Sequence, residues 1–374
     1  MSTLHLRSET KPLEHRSALT PSTVRQLLEK DFVVNVERSP VRIFDDEEFE
    51  KVGANLVPEG SWPDAPQDHI IIGLKELPEE NFPLKHTHIQ FAHCYKGQGG
   101  WKEVLRRFPA GGGMLYDMEF LEKDGRRVAA FGFHAGFAGS ALAILDWAWQ
   151  LEHNGKPLPG VKPYENEQLL IDEVKTHLKR GLEKTQGVYP RILVIGALGR
   201  CGTGALELAR RVGIPEDKLL QWDLEETKEG GPFEEIRGSD IFINCIYLSQ
   251  DVPKFITKEF LQVGNRRLSV VCDVSCDTTN PRNPIPFCNR PTYFNSPTIS
   301  LPEFDNPALS YITIDHLPSL LPREASEAFS TALVPSLLQL NDRAAAPVWQ
   351  GAENLFREKV RDLERSEQLP GGVL

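Results

Sequence analysis

The sequence predicts an α/β protein of two domains, each a mainly parallel sheet flanked by helices. Three observations carry that reading. The chain has 374 residues, more than one core of ordinary size holds. Short apolar runs alternate with amphipathic stretches in both halves, the pattern of parallel strands joined by helical crossovers. A glycine-rich turn links one such run to the next helix near mid-chain.

In the first region "FVVNV", "IIIGL", "HIQFAH", "MLYDMEF" and "VAAFGF" read as strands. Among them "TPSTVRQLLEK" offers a Thr N-cap, Pro at the first helical position and helical apolar spacing. From about residue 135, "AGFAGSALAILDWAWQLEHNG" reads as a helix leaving the first domain, and "ENEQLLIDEVKTHLKRGLEK" as a second helix. Strand, turn and helix follow one another in "RILVIGALGRCGTGALELARRVG", and "LLQWDL", "IFINCIY" and "LSVVCDVS" supply three more runs. After Asp315, "LPREASEAFSTALVPSLLQL" reads as an amphipathic helix, followed by a charged helix and a polar tail. That last stretch holds too little apolar material for a third core. The expected division is a substrate-binding domain over 1–134 and 323–374, with a nucleotide-binding domain inserted at 135–322.

Composition narrows the function. With 40% apolar and 25% charged residues, and no run near the roughly 18 apolar residues of a membrane span, a soluble protein is expected. "MSTLHLRSETKPLEHR" lacks a signal-peptide core and "PGGVL" is not a peroxisomal address, so the cytosol is the expected compartment. Six cysteines without CxxC spacing point away from a metal site and from a secreted disulfide framework. A net charge of −11 disfavours nucleic acid and anionic membranes, so an anionic ligand has to be held by local Arg and Lys.

In "LVIGALGRCGTGA" the glycines at 196, 199, 202 and 204 allow a tight turn and bring backbone N–H groups and a helix N-terminus to a pyrophosphate. The strict G-x-G-x-x-G spacing is not met. Context supplies what the motif lacks: a strand before, a helix after, and Asp223 closing the next run, placed to take both ribose hydroxyls and repel a 2′-phosphate. NAD is the expected cofactor, on a Rossmann-like domain.

Ligand crevices form at the carboxyl ends of parallel strands. "IIIGLKE" ends in Lys75 and Glu76. Strand alternation puts Ile89, Phe91 and His93 on one face, and Leu115, Asp117 and Glu119 on one face of the next run. Lys75, His93 and Glu119 are therefore expected on one rim, although each taken alone reads first as a solvated strand end. A His near its reference pKa of about 6.5 exchanges protons at neutral pH. A Lys at about 10.4 serves as a base only if its pKa falls by about 3, roughly 4 kcal/mol. Arg16, Arg126 and Arg127 are candidates to hold carboxylates. Cys201 and Cys245 both follow nucleotide-domain strands; the helix N-terminus is expected to lower the Cys201 pKa, and the alternative is two small buried thiols.

Together "ETKPLEHRSALTP", "GLKE", "HIQFAHCYKGQ", "GRRVAAFGF", "GALGRCGTGA", "CDVSCDTTNP" and "IDHLPSLLPREAS" resemble the fungal saccharopine dehydrogenases, the NAD-dependent, lysine-forming enzymes of the α-aminoadipate route, within the alanine dehydrogenase and transhydrogenase superfamily. The resemblance spans nearly the whole chain. It implies two Rossmann-like domains with the active site in the interdomain cleft. It implies cleavage of saccharopine by NAD and water to lysine and 2-oxoglutarate, reversibly, as the last step of lysine biosynthesis. Lys75 and His93 fall at the acid-base positions, with Glu76 and Glu119 as carboxylates that tune them. Arg16, Gln98, Arg127, Phe131, Ser275, Cys276 and Asp277 fall with Lys75 at substrate positions. Arg126, Gly199, Arg200, Asp223, Thr227, Tyr247, Val274, Ile314, Asp315, His316 and Leu317 fall at cofactor positions. Cys201 and Cys245 match a pair able to form a disulfide, Cys276 stands where a smaller Ala is expected, and a monomer without a metal is implied.

Two rivals remain open. An alanine dehydrogenase-like enzyme would aminate a keto acid such as pyruvate, whose single carboxylate leaves Arg127 little to do. A catalytically silent NAD sensor would need neither Lys75 nor His93.

Overall fold

The computed structural model describes residues 2–97, 99–248, 251–276, 278 and 280–368. The chain forms two compact units, one of 1–130 with 322–374 and one of 131–321.

The first unit is built on a six-stranded sheet, β1 (Thr3–Leu6), β2 (Val33–Glu37), β3 (Asn55–Val57), β4 (Ile70–Ile72), β5 (Thr87–Gln90) and β6 (Met114–Asp117). Its order is β3-β2-β1-β4-β5-β6 and every pair is parallel. Strand order reverses between β1 and β4, which opens a crevice at their carboxyl ends. The central β1 is a strand the sequence pattern hid: it is four residues long, and its polar His5 is buried against Glu37, Nε2 to Oε1 at 3.1 Å. Pro21–Leu28 forms the expected helix behind Thr20 as N-cap.

"VAAFGF" is not a strand. Only Arg126–Arg127 pair, as β8, with Glu122–Lys123, β7, and a helix starts at Gly132 rather than near 135. The small side chains of that stretch suit close helix packing better than a pleated ladder. The helix Pro347–Gln368 covers β6 and the helix Trp101–Gly111. Trp349, fully buried, lies with its ring centroid 5.2 Å from that of Tyr116.

The second unit holds β9 (Ile192–Ile195), β10 (Leu219–Trp222), β11 (Ile241–Asn244), β12 (Val270–Asp273), β13 (Ile299–Asp305) and β14 (Ala308–Ile312), ordered β10-β9-β11-β12-β14-β13. All pairs are parallel except the β13–β14 hairpin at one edge. Here order reverses between β9 and β11. The helix Gly132–Glu152 is buried on nearly every face and forms the centre of the core with Arg200–Arg211 and Glu167–Lys184. Asn166 caps the last of these, accepting the Leu169 amide at 3.1 Å. Among the described residues no helix is long and apolar enough to cross a membrane.

Candidate active site

In the first unit the side chains singled out from sequence gather on the carboxyl edge of β4, β5 and β6. The mechanism of convergence is strand adjacency rather than strand phase. β5 ends at Gln90 and β6 at Asp117, so Phe91, His93 and Glu119 lie beyond the ladder, and His93 takes a left-handed φ of 51°. A non-glycine residue rarely adopts that conformation, and such strain concentrates at functional sites. Asp117, at the end of β6, fixes both loops: it accepts the Ala92 amide at 3.2 Å and the Glu119 amide at 2.9 Å. Burial pushes its carboxyl up to about 6 despite these bonds.

His93 Nε2 stands 3.9 Å from Glu76 Oε2. Burial lowers the His93 pKa and the Lys75 charge adds to that, while Glu76 and Glu119 oppose it. Burial raises the Glu76 carboxyl, but the hydrogen bond from Lys11, at 2.5 Å, and the charges of Lys11 and His93 outweigh it and leave it low. Glu119 pairs with Lys96 at 2.7 Å and lies 3.6 Å from Arg127. Arg16 is buried with its fork on Glu14, at 2.8 and 2.6 Å. Burial works to raise the Glu14 carboxyl, but Arg16 and the Lys75 charge hold it below its ordinary value. Arg126 is exposed. Gln98 and Asp277 lie outside the described residues.

In the second unit Gly196 turns the chain after β9 with φ +86°, and a Cβ at Gly202 would overlap the Gly196 carbonyl. Gly199 is the N-cap of the helix that begins at Arg200, so its first amides face the turn. Asp223 is held at the turn's edge, accepting from the Leu198 amide at 3.0 Å and the Leu224 amide at 2.9 Å. The same side chain accepts the Glu226 amide in a capping box, so most of its acceptor capacity serves to fix the carboxylate in place. Thr227 is buried and donates to the Asp223 carbonyl at 2.8 Å, and Tyr247, on the loop after β11, is exposed. The turn, the helix end and the carboxylate fit a dinucleotide. Ser275 donates to Asp273 at 2.6 Å, which also accepts from Asn244 at 2.9 Å. Cys276 has φ 49° and donates to the Thr313 carbonyl at 3.3 Å. Val274 and His316 are half-buried, Asp315 is exposed, Ile314 and Leu317 are core residues, and Phe131 precedes the helix at Gly132.

The expectation of a lowered Cys201 pKa is corrected. Cys201 and Cys245 are free thiols in this structure. Burial raises the Cys201 pKa, with Arg200 opposing it, and Cys245 is raised far more, again by burial. Desolvation outweighs the Arg200 charge, and a protonated thiol attacks poorly. Among the described residues no cluster of His, Cys, Asp or Glu is arranged to hold a metal.

Residues 5–138 match the family described as Alanine dehydrogenase/PNT, N-terminal domain. A saccharopine dehydrogenase (NAD(+), L-lysine-forming) of Yarrowia lipolytica is 63% identical over 96% of this chain and 97% of its own. The chain belongs to the saccharopine dehydrogenase (NAD(+), L-lysine-forming) family. The Neurospora crassa saccharopine dehydrogenase of the same description is 61% identical, covering 97% of this chain and 98% of its own. Among solved structures, an L-alanine dehydrogenase superposes with a TM-score of 0.64 at 16% identity, over 96% of this chain and 99% of that one; it shares the fold.

For this saccharopine dehydrogenase family member the sequence reading passed over three charged residues of the first rim: Arg7 and Glu9, just after β1, and Asp117 as an anchor. The signal was weak. "TLHLRSE" ends in charge as "IIIGLKE" does, but without an apolar run before it to mark a strand end.

Proposed function

We propose that the protein catalyses the reversible, NAD-dependent cleavage of L-saccharopine by water to L-lysine and 2-oxoglutarate, the last step of lysine biosynthesis by the α-aminoadipate pathway. The observation that carries this is the 63% identity, over nearly the full length of both chains, to a protein of that name. The switch points support it, one lined with proton-transfer groups and the other with a dinucleotide turn.

The Gly199 turn, the Arg200 helix end and Asp223 would hold NAD, which when bound would supply the hydride acceptor. Lys75 Nζ takes the proton of the saccharopine secondary amine, which frees the nitrogen lone pair as the adjacent C–H hydride departs. His93 Nε2 then takes a proton from the water that adds to the imine carbon. It returns a proton to nitrogen as the carbinolamine C–N bond breaks. A lowered pKa keeps His93 neutral, and so able to act as that base, over a wider range of pH. Three substrate carboxylates call for several cations, and Arg16 and Arg127 supply two, while Gln98, Phe131, Ser275, Cys276 and Asp277 make other substrate contacts. The reading extends to a monomeric cytosolic enzyme, checked by sedimentation and by cell fractionation.

The assay is NADH oxidation with lysine plus 2-oxoglutarate, run beside pyruvate plus ammonia. Turnover of the first mixture alone is expected. Turnover of pyruvate and ammonia instead would replace this reading with an alanine dehydrogenase-like one.

A further inference from the structure

Arg7 and Glu9, at the carboxyl end of β1, have no part in the proposed proton transfers, yet they are only 2% and 9% exposed. Their side chains pair, Nη1 to Oε2, at 3.3 Å. A buried ion pair adds little net stability, because desolvation offsets the attraction. Its partners here reveal another use. Glu9 Oε1 accepts the Leu74 amide at 2.6 Å and Oε2 accepts the Lys75 amide at 3.0 Å. Arg7 Nη2 donates to the Lys75 carbonyl, and Nη1 donates to the Ser8 carbonyl at 3.1 Å.

The β4–β5 backbone bonds end just there. Gly73 donates to Ile89 at 3.1 Å and the Leu74 carbonyl takes the Phe91 amide at 3.0 Å. Lys75 is thus the first residue the ladder no longer holds, and the ion pair takes its amide and its carbonyl instead. Gly73 makes room for this, since a Cβ there would overlap the Arg7 guanidinium. The pair sits at the β1/β4 reversal, on the strand next to the one that carries Lys75.

We infer that Arg7 and Glu9 are positioning residues that set the place of Lys75 Nζ by fixing its backbone on both sides, without touching substrate. The inference rests on Lys75 as the proton acceptor. Misplacing a reacting group by about 1 Å costs on the order of a hundredfold in rate, so the clamp acts on turnover rather than on binding.

The test uses the full-length enzyme and two variants. Glu9→Gln keeps size but turns one acceptor into a donor facing an N–H, and Gly73→Ala displaces Arg7 without changing charge. In both, kcat with lysine, 2-oxoglutarate and NADH is expected to fall on the order of a hundredfold. KM values and the NADH dissociation constant stay put, the Lys75 limb of the pH profile moves, and amide exchange across 73–76 speeds up. Unchanged exchange and an unmoved pH profile, with activity tracking only the thermal midpoint, would overturn the clamp. If Glu9→Gln does not fold, Gly73→Ala carries the test alone. Absence of turnover in the unmodified enzyme would sink the functional reading instead, and amide exchange would still decide whether the pair holds Lys75.

Discussion

The two sheets are both nearly all parallel and each reverses its strand order at one point, yet they furnish that point differently. At β1 and β4 the chain places Arg7, Glu9, Lys75 and Glu76, with His93 on the adjacent strand's loop. At β9 and β11 it places Gly196, Gly199, Gly202 and thiols held protonated by burial. Topology supplies a crevice in either case. The proposed chemistry rests on what fills each rim: titratable side chains to move protons, bare backbone to receive a phosphate.

If that division is real, damage to one rim leaves the other's readout intact. Lys75→Met is expected to lower kcat by about a thousandfold, within the range for general acid-base groups, while NADH fluorescence titration gives an unchanged dissociation constant. Equal losses in both would erase the distinction. Gly202→Ala forces a Cβ onto the Gly196 carbonyl, and overpacking of about 1–3 kcal/mol is expected to weaken NADH binding roughly tenfold to a hundredfold, with kcat at saturation nearly unchanged. Asp223→Ala is expected to cost about tenfold in NAD affinity, 1.4 kcal/mol, and to narrow the preference over NADP; an unaltered preference would remove the ribose role.

Two pH experiments sharpen the same contrast. Glu76 works to raise the His93 pKa, so Glu76→Gln is expected to move the acid limb of kcat/KM to lower pH. A limb that stays or rises would show that His93 does not set it. In the second unit burial lifts Asp146 from 3.8 to about 7, although Ser310 and Gln150 donate to it. The folded state then holds a proton that the unfolded chain has lost, so this contribution to stability falls as pH rises between those values. The thermal midpoint of Asp146→Asn should decline less across that window than that of the unmodified protein, and parallel curves would refute the assignment.

Much of this was legible in the sequence because local patterns carry it: capped helices, the glycine turn, Asp223 after the next run. Most of what escaped depends on partners far away in the chain. "TLHL" has no strand signature of its own, and becomes central only because β2 and β4 bond to it on either side. The β13–β14 hairpin in "TISLPEFDNPALSYI" escaped for a local reason, since Pro302 and the polar stretch through Pro307 interrupt the alternation that marks a strand. The alternation argument brought Lys75, His93 and Glu119 to one rim by a route the backbone does not follow, since both strands end before those residues. Adjacency of β4, β5 and β6, set by nonlocal pairing, does the gathering.

The first unit is assembled from both ends of the chain, and its Tyr116 meets Trp349 only when the last helix exists. During synthesis the sheet therefore emerges with the apolar face around Leu115 and Phe108 uncovered, while the contiguous second unit is made and folds in the interval. The first unit therefore cannot close its core until Trp349 has been made, whereas the second unit, 131–321, is one unbroken stretch that needs nothing from either side of it in the chain.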